Sequence, residues 1–150
     1  MTVLINNAGI GTGTDLLAGD LDHVRLEMDT HYFGTLSVVR GFAPQTAANG
    51  SRAILNILSV LSWYSSPQAG AYCAAKSAQW SLANALRMQL ADQGIRVAGL
   101  YVGTIGTDMT RAVTTPKTDP AAIAHLADDV SRQAQSGLAG RVTALCPQLP

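Results

Sequence analysis

Charged and aromatic side chains are scarce in this chain, at 13% and 5% of its 150 residues. Ten basic residues cancel ten acidic ones and no basic run is present. That balance excludes an electrostatic nucleic-acid binder. Only two cysteines occur, Cys73 and Cys146, in no CxxC pair and beside no histidine cluster. A reduced, cytoplasmic protein is the reading. The histidines, His23, His31 and His125, lack metal-ligand spacing, so no metal is expected. No apolar run is long enough to span a membrane. The first five residues are too short for a secretory leader. Repeats and low-complexity segments are absent. What the chain does have is apolar content, 47% hydrophobic, above that of an average domain. The length allows one domain with a core, and the apolar balance suits strands covered on both faces or a surface covered by something outside these residues.

Residues 2–6 are short, apolar and rich in β-branched side chains, which predicts a buried strand. A glycine-rich turn with Gly9, Gly11 and Gly13 follows. Asp20 caps a helix predicted over 21–48, with a break near Gly34 or Pro44. A second strand is predicted at 53–58 and a serine-rich loop at 59–70. Residues 71–93 form the best helix, with Ala78, Leu82, Leu86 and Leu90 as one apolar stripe and Gly94 as its end. A third strand covers 95–102 and a loop 103–116. Asp119 and Pro120 open a helix running to about 137, and 141–145 is a last short strand. Helices alternating with strands at these lengths predict a parallel α/β sheet with helices on both faces.

Tyr72 and Lys76 stand four apart on the best helix, which makes them neighbours on one face. By itself such a pair is commonplace on helix surfaces. Ser59, however, ends the second strand, and ligands of such sheets gather outside the carboxyl ends of strands. The first turn of the helix then lies near Ser59. Ser62, Ser65 and Ser66 are other serines of that loop, and any of them can cap a turn; spacing favours Ser59. A hydroxyl, a phenol and an ammonium suit proton transfer at oxygen coupled to hydride transfer at carbon. A free tyrosine has a pKa of about 10. To act as a base near pH 7 it must fall by roughly 3, worth about 4 kcal/mol of phenolate stabilisation. A nearby ammonium supplies such stabilisation, and a serine hydroxyl can hold the substrate oxygen.

Tyr72-Cys73-Ala74-Ala75-Lys76, with Ser59 thirteen residues before Tyr72, resembles the Tyr-x-x-x-Lys signature of the short-chain dehydrogenases. Asn6-Asn7-Ala8-Gly9 is similar to that family's motif after its fourth strand. Gly103-Thr104-Ile105-Gly106-Thr107 is similar to its Pro-Gly-x-x-x-Thr segment after the sixth. The resemblance covers about residues 2–111. It implies a Rossmann-like, doubly wound parallel sheet, present as its second half only, with strands matching the family's fourth to seventh. It implies alcohol/carbonyl hydride transfer with NAD or NADP and a small alcohol or carbonyl substrate. By position, Tyr72 is the acid/base, Lys76 its tuner and a ribose ligand, and Ser59 the holder of the reacting oxygen. Asn7, Ala8 and Gly9 border the adenosine side; Gly103, Ile105 and Thr107 border the nicotinamide. The helices matching 21–48 and 71–93 form the family's usual dimer interface, so the complete protein is expected to be a homo-oligomer.

Three departures stand out. The family's Thr-Gly-x-x-x-Gly-x-Gly loop is absent from these residues, so 1–150 is expected to be one partial domain. His31 occupies the place, three before Gly34, where the family has an asparagine that helps relay protons. Val102 stands where the family has proline. The rival expectation is a catalytically inert chain that acts only by pairing with related subunits. Trp63 and Tyr64 are candidate substrate contacts or loop packing; Met109 and Val113 are candidate lid residues or ordinary apolar contacts.

Overall fold

The computed structural model describes residues 3–48 and 53–136. Three strands form one parallel sheet in the order β1 (Val3–Asn6), β2 (Ala53–Ser59), β3 (Arg96–Val102). Leu4 lies opposite Ile54, and Ile54 opposite Val97, so like faces align across the sheet. Asn6 and Asn56, also in register, share a buried side-chain hydrogen bond of 2.8 Å. The predicted strand at 141–145 falls outside the described residues.

Helices cover both faces, which explains the low charge content. On one side α1 (Leu21–Met28), α2 (Thr35–Ala48) and α3 (Gly70–Gln89) enclose Leu4, Val39, Ile54, Leu82, Leu86 and Val97. On the other, α4 (Pro120–Ser136) buries Val130 and Ala134 against Leu55, Ala98 and Leu100. Of the predicted stripe, Leu82, Leu86 and Leu90 are buried and Ala78 is half-buried; α3 stops at Gln89 rather than 93, and a 3-10 turn, Ala91–Gln93, carries the chain on to Gly94. Gly94 takes a left-handed φ of 68°, a conformation that glycine adopts without strain. The Asp20 side chain accepts from Asp22 N–H at the start of α1, and Asp119 Oδ1 accepts from Ala121 N–H at 2.9 Å.

The break expected near Gly34 or Pro44 takes another form. Residues Asp29–Gly34 make a π-helical turn between α1 and α2, while Pro44 lies inside α2. Glu27, His31, Thr35, Val39 and Ala43, each four apart, are all buried. On an ideal α-helix each four-residue step overshoots a turn by about 40°. The wider π turn absorbs part of that drift and keeps the five side chains facing inward.

Candidate functional site

A cleft of about 540 Å³ opens at the C-terminal ends of β2 and β3, where parallel α/β sheets carry their sites. Ser59, Tyr72 and Gly103 all border it, with Met109 and Val113. A smaller hollow of about 310 Å³ lies at the opposite end of β3, around Arg87 and Gly94. It holds none of the candidate residues.

Ser59 ends β2 and caps the short helical turn Val60–Ser62, its Oγ accepting from Leu61 N–H at 3.1 Å. Tyr72 lies in the first turn of α3. Burial pushes its phenol up to about 12; hydrogen bonding with Ser59 opposes the rise, and Glu27 and Cys73 add to it. Lys76, one turn on, is 4% exposed. Its ammonium donates to Ile57 O and to Gln79 Oε1, both at 3.0 Å, and lies 5.7 Å from the centre of the Tyr72 ring. Burial lowers it from 10.5 to about 8. A tyrosine acting as a base near pH 7 needs a lowered phenol. In this arrangement desolvation wins, because the ammonium is directed at a carbonyl and an amide while the ring itself is largely enclosed.

His31 reaches the site from the π turn. It is fully buried, and its ring meets that of Tyr72 edge-on at 5.2 Å. Nε2 lies 2.7 Å from Ile10 O and 3.4 Å from Ile10 N. The shorter contact assigns the proton to Nε2, which then donates to Ile10 O in place of accepting from Ile10 N–H. Nδ1 is then a bare acceptor, buried without a partner. Burial, aided by the Lys76 charge, lowers the His31 pKa against the pull of Ile10 O and Glu27, so the ring is neutral at pH 7. A Cβ at Gly9 would come within 2.9 Å of His31 Cε1, so the glycine lets the ring and the β1 exit approach this closely.

The other candidates are spread around this centre. Asn7, Ala8 and Gly9 are exposed at the exit of β1, outside the cleft lining. Thr104 borders the cleft beside Gly103. Ile105 packs against the core under α4. Thr107 caps the short turn Asp108–Thr110 in a reciprocal box with Thr110. Trp63 stacks on Tyr101, ring centres 4.1 Å apart, and neither Trp63 nor Tyr64 borders the cleft.

Two features escaped the sequence reading. Glu27 is 1% exposed, and its Oε1 accepts from both Thr12 N–H and Thr12 Oγ at 2.6 Å. It thereby ties the glycine-rich turn, one wall of the cleft, to α1. Gln79 bridges Lys76 to Thr35, its Nε2 donating to Thr35 Oγ1 at 2.8 Å. The four-residue spacing of Glu27, His31 and Thr35 was the available signal for the first. Among the described residues no group of three or more His, Cys, Asp or Glu could hold a metal ion. No helix there is long and apolar enough to cross a membrane.

A parallel sheet with a serine, tyrosine and lysine gathered at its carboxyl edge defines a Rossmann-like α/β protein. The short chain dehydrogenase family matches residues 1–118, and the chain belongs to that family. It is 32% identical over 108 residues to dehydrogenase/reductase SDR family protein 7-like of Drosophila melanogaster, covering 72% of this chain and 33% of that protein. It is 31% identical over 110 residues to 3-ketodihydrosphingosine reductase of Bacteroides thetaiotaomicron, covering 73% and 41%. Among solved structures, a short chain dehydrogenase from Burkholderia cenocepacia in complex with NADP superposes with a TM-score of 0.81 at 31% identity. That match covers 99% of this chain and 60% of the other. The chain therefore spans between a third and under half of these curated relatives.

Proposed function

We propose that these residues form the acid–base and nicotinamide-side half of a short-chain oxidoreductase that interconverts an alcohol and a ketone or aldehyde. One observation carries the reading: Ser59 and Tyr72 meet on a single cleft at the carboxyl edge of the sheet, with the Lys76 ammonium buried behind the tyrosine. Ser59 holds the reacting oxygen. Tyr72 gives that oxygen a proton in reduction and takes one in oxidation. A phenol held at about 12 is fully protonated at pH 7, which readies it as the acid for carbonyl reduction. Oxidation asks for the phenolate, and Lys76 together with a cationic nicotinamide would favour that form.

The described residues fit the nicotinamide side of NAD or NADP. Gly103 and Thr104 border the cleft, and the Lys76 ammonium, with three donors, has two acceptors in the protein. The relative in complex with NADP supports the same assignment. When bound, the cofactor supplies the hydride acceptor or donor. Asn7, Ala8 and Gly9 lie where the adenosine side would pass, and Ile105 and Thr107 shape the loop beside the nicotinamide. His31, as a neutral buried acceptor touching Tyr72, replaces the family's asparagine in steadying the proton path. A pyrophosphate-binding glycine loop is not among these 150 residues, so we read 1–150 as one partial domain of a cytoplasmic enzyme. The rival reading, an inert chain that works by subunit association, draws on the exposed Leu26, Phe33 and Met88. The same side chains suit a homo-oligomer of the active protein.

Tyr72→Phe in the full-length gene product tests the reading. Turnover should fall by roughly 10²–10⁴-fold while NAD(P)H still binds. A variant that keeps more than about a tenth of the rate removes Tyr72 as the acid/base.

A further inference from the structure

Resting on the oxidoreductase reading, we propose that the cleft selects an uncharged, largely apolar ketone or alcohol and discriminates against anionic substrates. Among the described residues, none that borders the cleft carries a charge. Val60, Leu61, Ala69, Met109 and Val113 supply apolar wall beside the part of the cleft that Gly103 and Thr104 border. Some of the polar groups on the wall are engaged within the protein. Thr12 donates both its N–H and its hydroxyl to Glu27 at 2.6 Å. Gln68 Oε1 accepts from Ser66 Oγ at 2.9 Å. Ser59 and Tyr72 stand on the same wall, at the place of the reacting oxygen.

The surrounding charges point the same way. Behind Thr12 lies the Glu27 carboxylate, 1% exposed, with Oε2 unpartnered. Its charge is felt as far as the Tyr72 phenol and would repel a carboxylate entering the cleft. The cations nearest in sequence to the wall residues are turned to other work. Lys76 donates to Ile57 O and Gln79, and Arg111 is paired with Asp108 at 2.6 Å, away from the lining. Among the described residues an anion at this wall loses its water and meets no counter-ion on the lining, a cost that an uncharged ketone escapes.

Acetophenone and 4-acetylbenzoate differ by one carboxylate and test the proposal on the full-length gene product. The ratio of kcat/KM should favour acetophenone by at least about 30-fold, a discrimination within the range of single contacts in a buried site. Val113→Arg, which places a cation at the wall, should narrow that ratio at least about fivefold while the KM for NAD(P)H stays unchanged. Equal use of the two ketones, preference for the acid, or a ratio unmoved by Val113→Arg overturns the proposal. Direct binding of each ketone by saturation-transfer NMR separates it from the hydride-transfer reading. Selective binding of acetophenone without turnover would end that reading and leave this one standing. Equal binding of both, or of neither at millimolar concentration, would end this one.

Discussion

Lys76 makes the pH dependence of stability measurable. Its ammonium is buried, and burial moves it from 10.5 to about 8. A lysine whose folded pKa is depressed is held more tightly as a cation in the unfolded chain. The unfolded chain therefore binds the extra proton between pH 8 and 10.5, and stability rises with pH across that window. At about 1.36 kcal/mol per pH unit, the gap from 10.5 to about 8 amounts to about 3 kcal/mol. The Tyr72 phenol, raised from 10.0 to about 12, acts in the opposite sense and higher up. Its contribution is complete below pH 10 and is lost as pH climbs to 12. Together these two groups favour the folded state most near pH 10. In Lys76→Met the rise between 8 and 10 should vanish, although the loss of donors to Ile57 O and Gln79 Oε1 costs a pH-independent amount of about 1–3 kcal/mol per orphaned acceptor. Urea midpoints at pH 7.5, 8.5 and 9.5, converted with a common m-value, measure both slopes. Identical slopes in the parent and Lys76→Met would refute the claim that this ammonium is held at the expense of folding.

The elements were legible where local chemistry decides them. Asp20 and Asp119 cap the helices they were expected to cap, and Gly94 closes the short turn Ala91–Gln93 that follows α3 with the left-handed φ that its type favours. The apolar stripe through Leu82, Leu86 and Leu90 faces the sheet because helix periodicity and burial agree there. The π turn was not legible. Its cause is a run of inward positions at strict four-residue spacing, and two of those, Glu27 and His31, are polar. A hydrophobic pattern cannot mark a buried face written partly in polar residues.

The site was legible as a set of residue types and spacings, and illegible as an electrostatic environment. Ser59, Tyr72 and Lys76 converge through strand ends and helix register, which sequence spacing encodes. The direction of the Tyr72 shift depends on how much of the phenol is enclosed and where the Lys76 ammonium is directed. The direction of the ammonium is set by Ile57, Gln79 and Thr35, from three separate elements. Likewise, apart from its four-residue spacing to His31 and Thr35, nothing local distinguishes Glu27 from any exposed helix glutamate. Only the return of the β1 exit, bringing Thr12 to within 2.6 Å, makes it a clamp.

Three further outcomes follow. His31→Asn should keep or raise the activity of the full-length gene product, and His31→Ala should lower it, since the first retains a hydrogen-bonding side chain beside Tyr72; equal rates for all three proteins would make His31 a bystander. Glu27→Leu should destabilise by about 1–3 kcal/mol, because the two Thr12 donors lose their acceptor, and should raise the KM for ketone more than it lowers kcat; denaturation and steady-state kinetics on one preparation check both. The last concerns residues 1–150 expressed by themselves. The pyrophosphate of a dinucleotide is held in this fold by a glycine-rich loop opening onto a helix N-terminus, and these residues contain no such loop. Among the described residues β1 pairs with β2 alone, and its Ile5 is 47% exposed. An unpaired apolar edge invites strand addition from another copy, and a formal net charge of zero opposes it little. The segment should therefore bind neither NADH nor NADPH in calorimetric titration and should elute as oligomers in size-exclusion chromatography with light scattering. A monomer that binds NADPH at micromolar concentration would mean that these residues build their own pyrophosphate site, and the division of labour proposed for the two halves would fall with it.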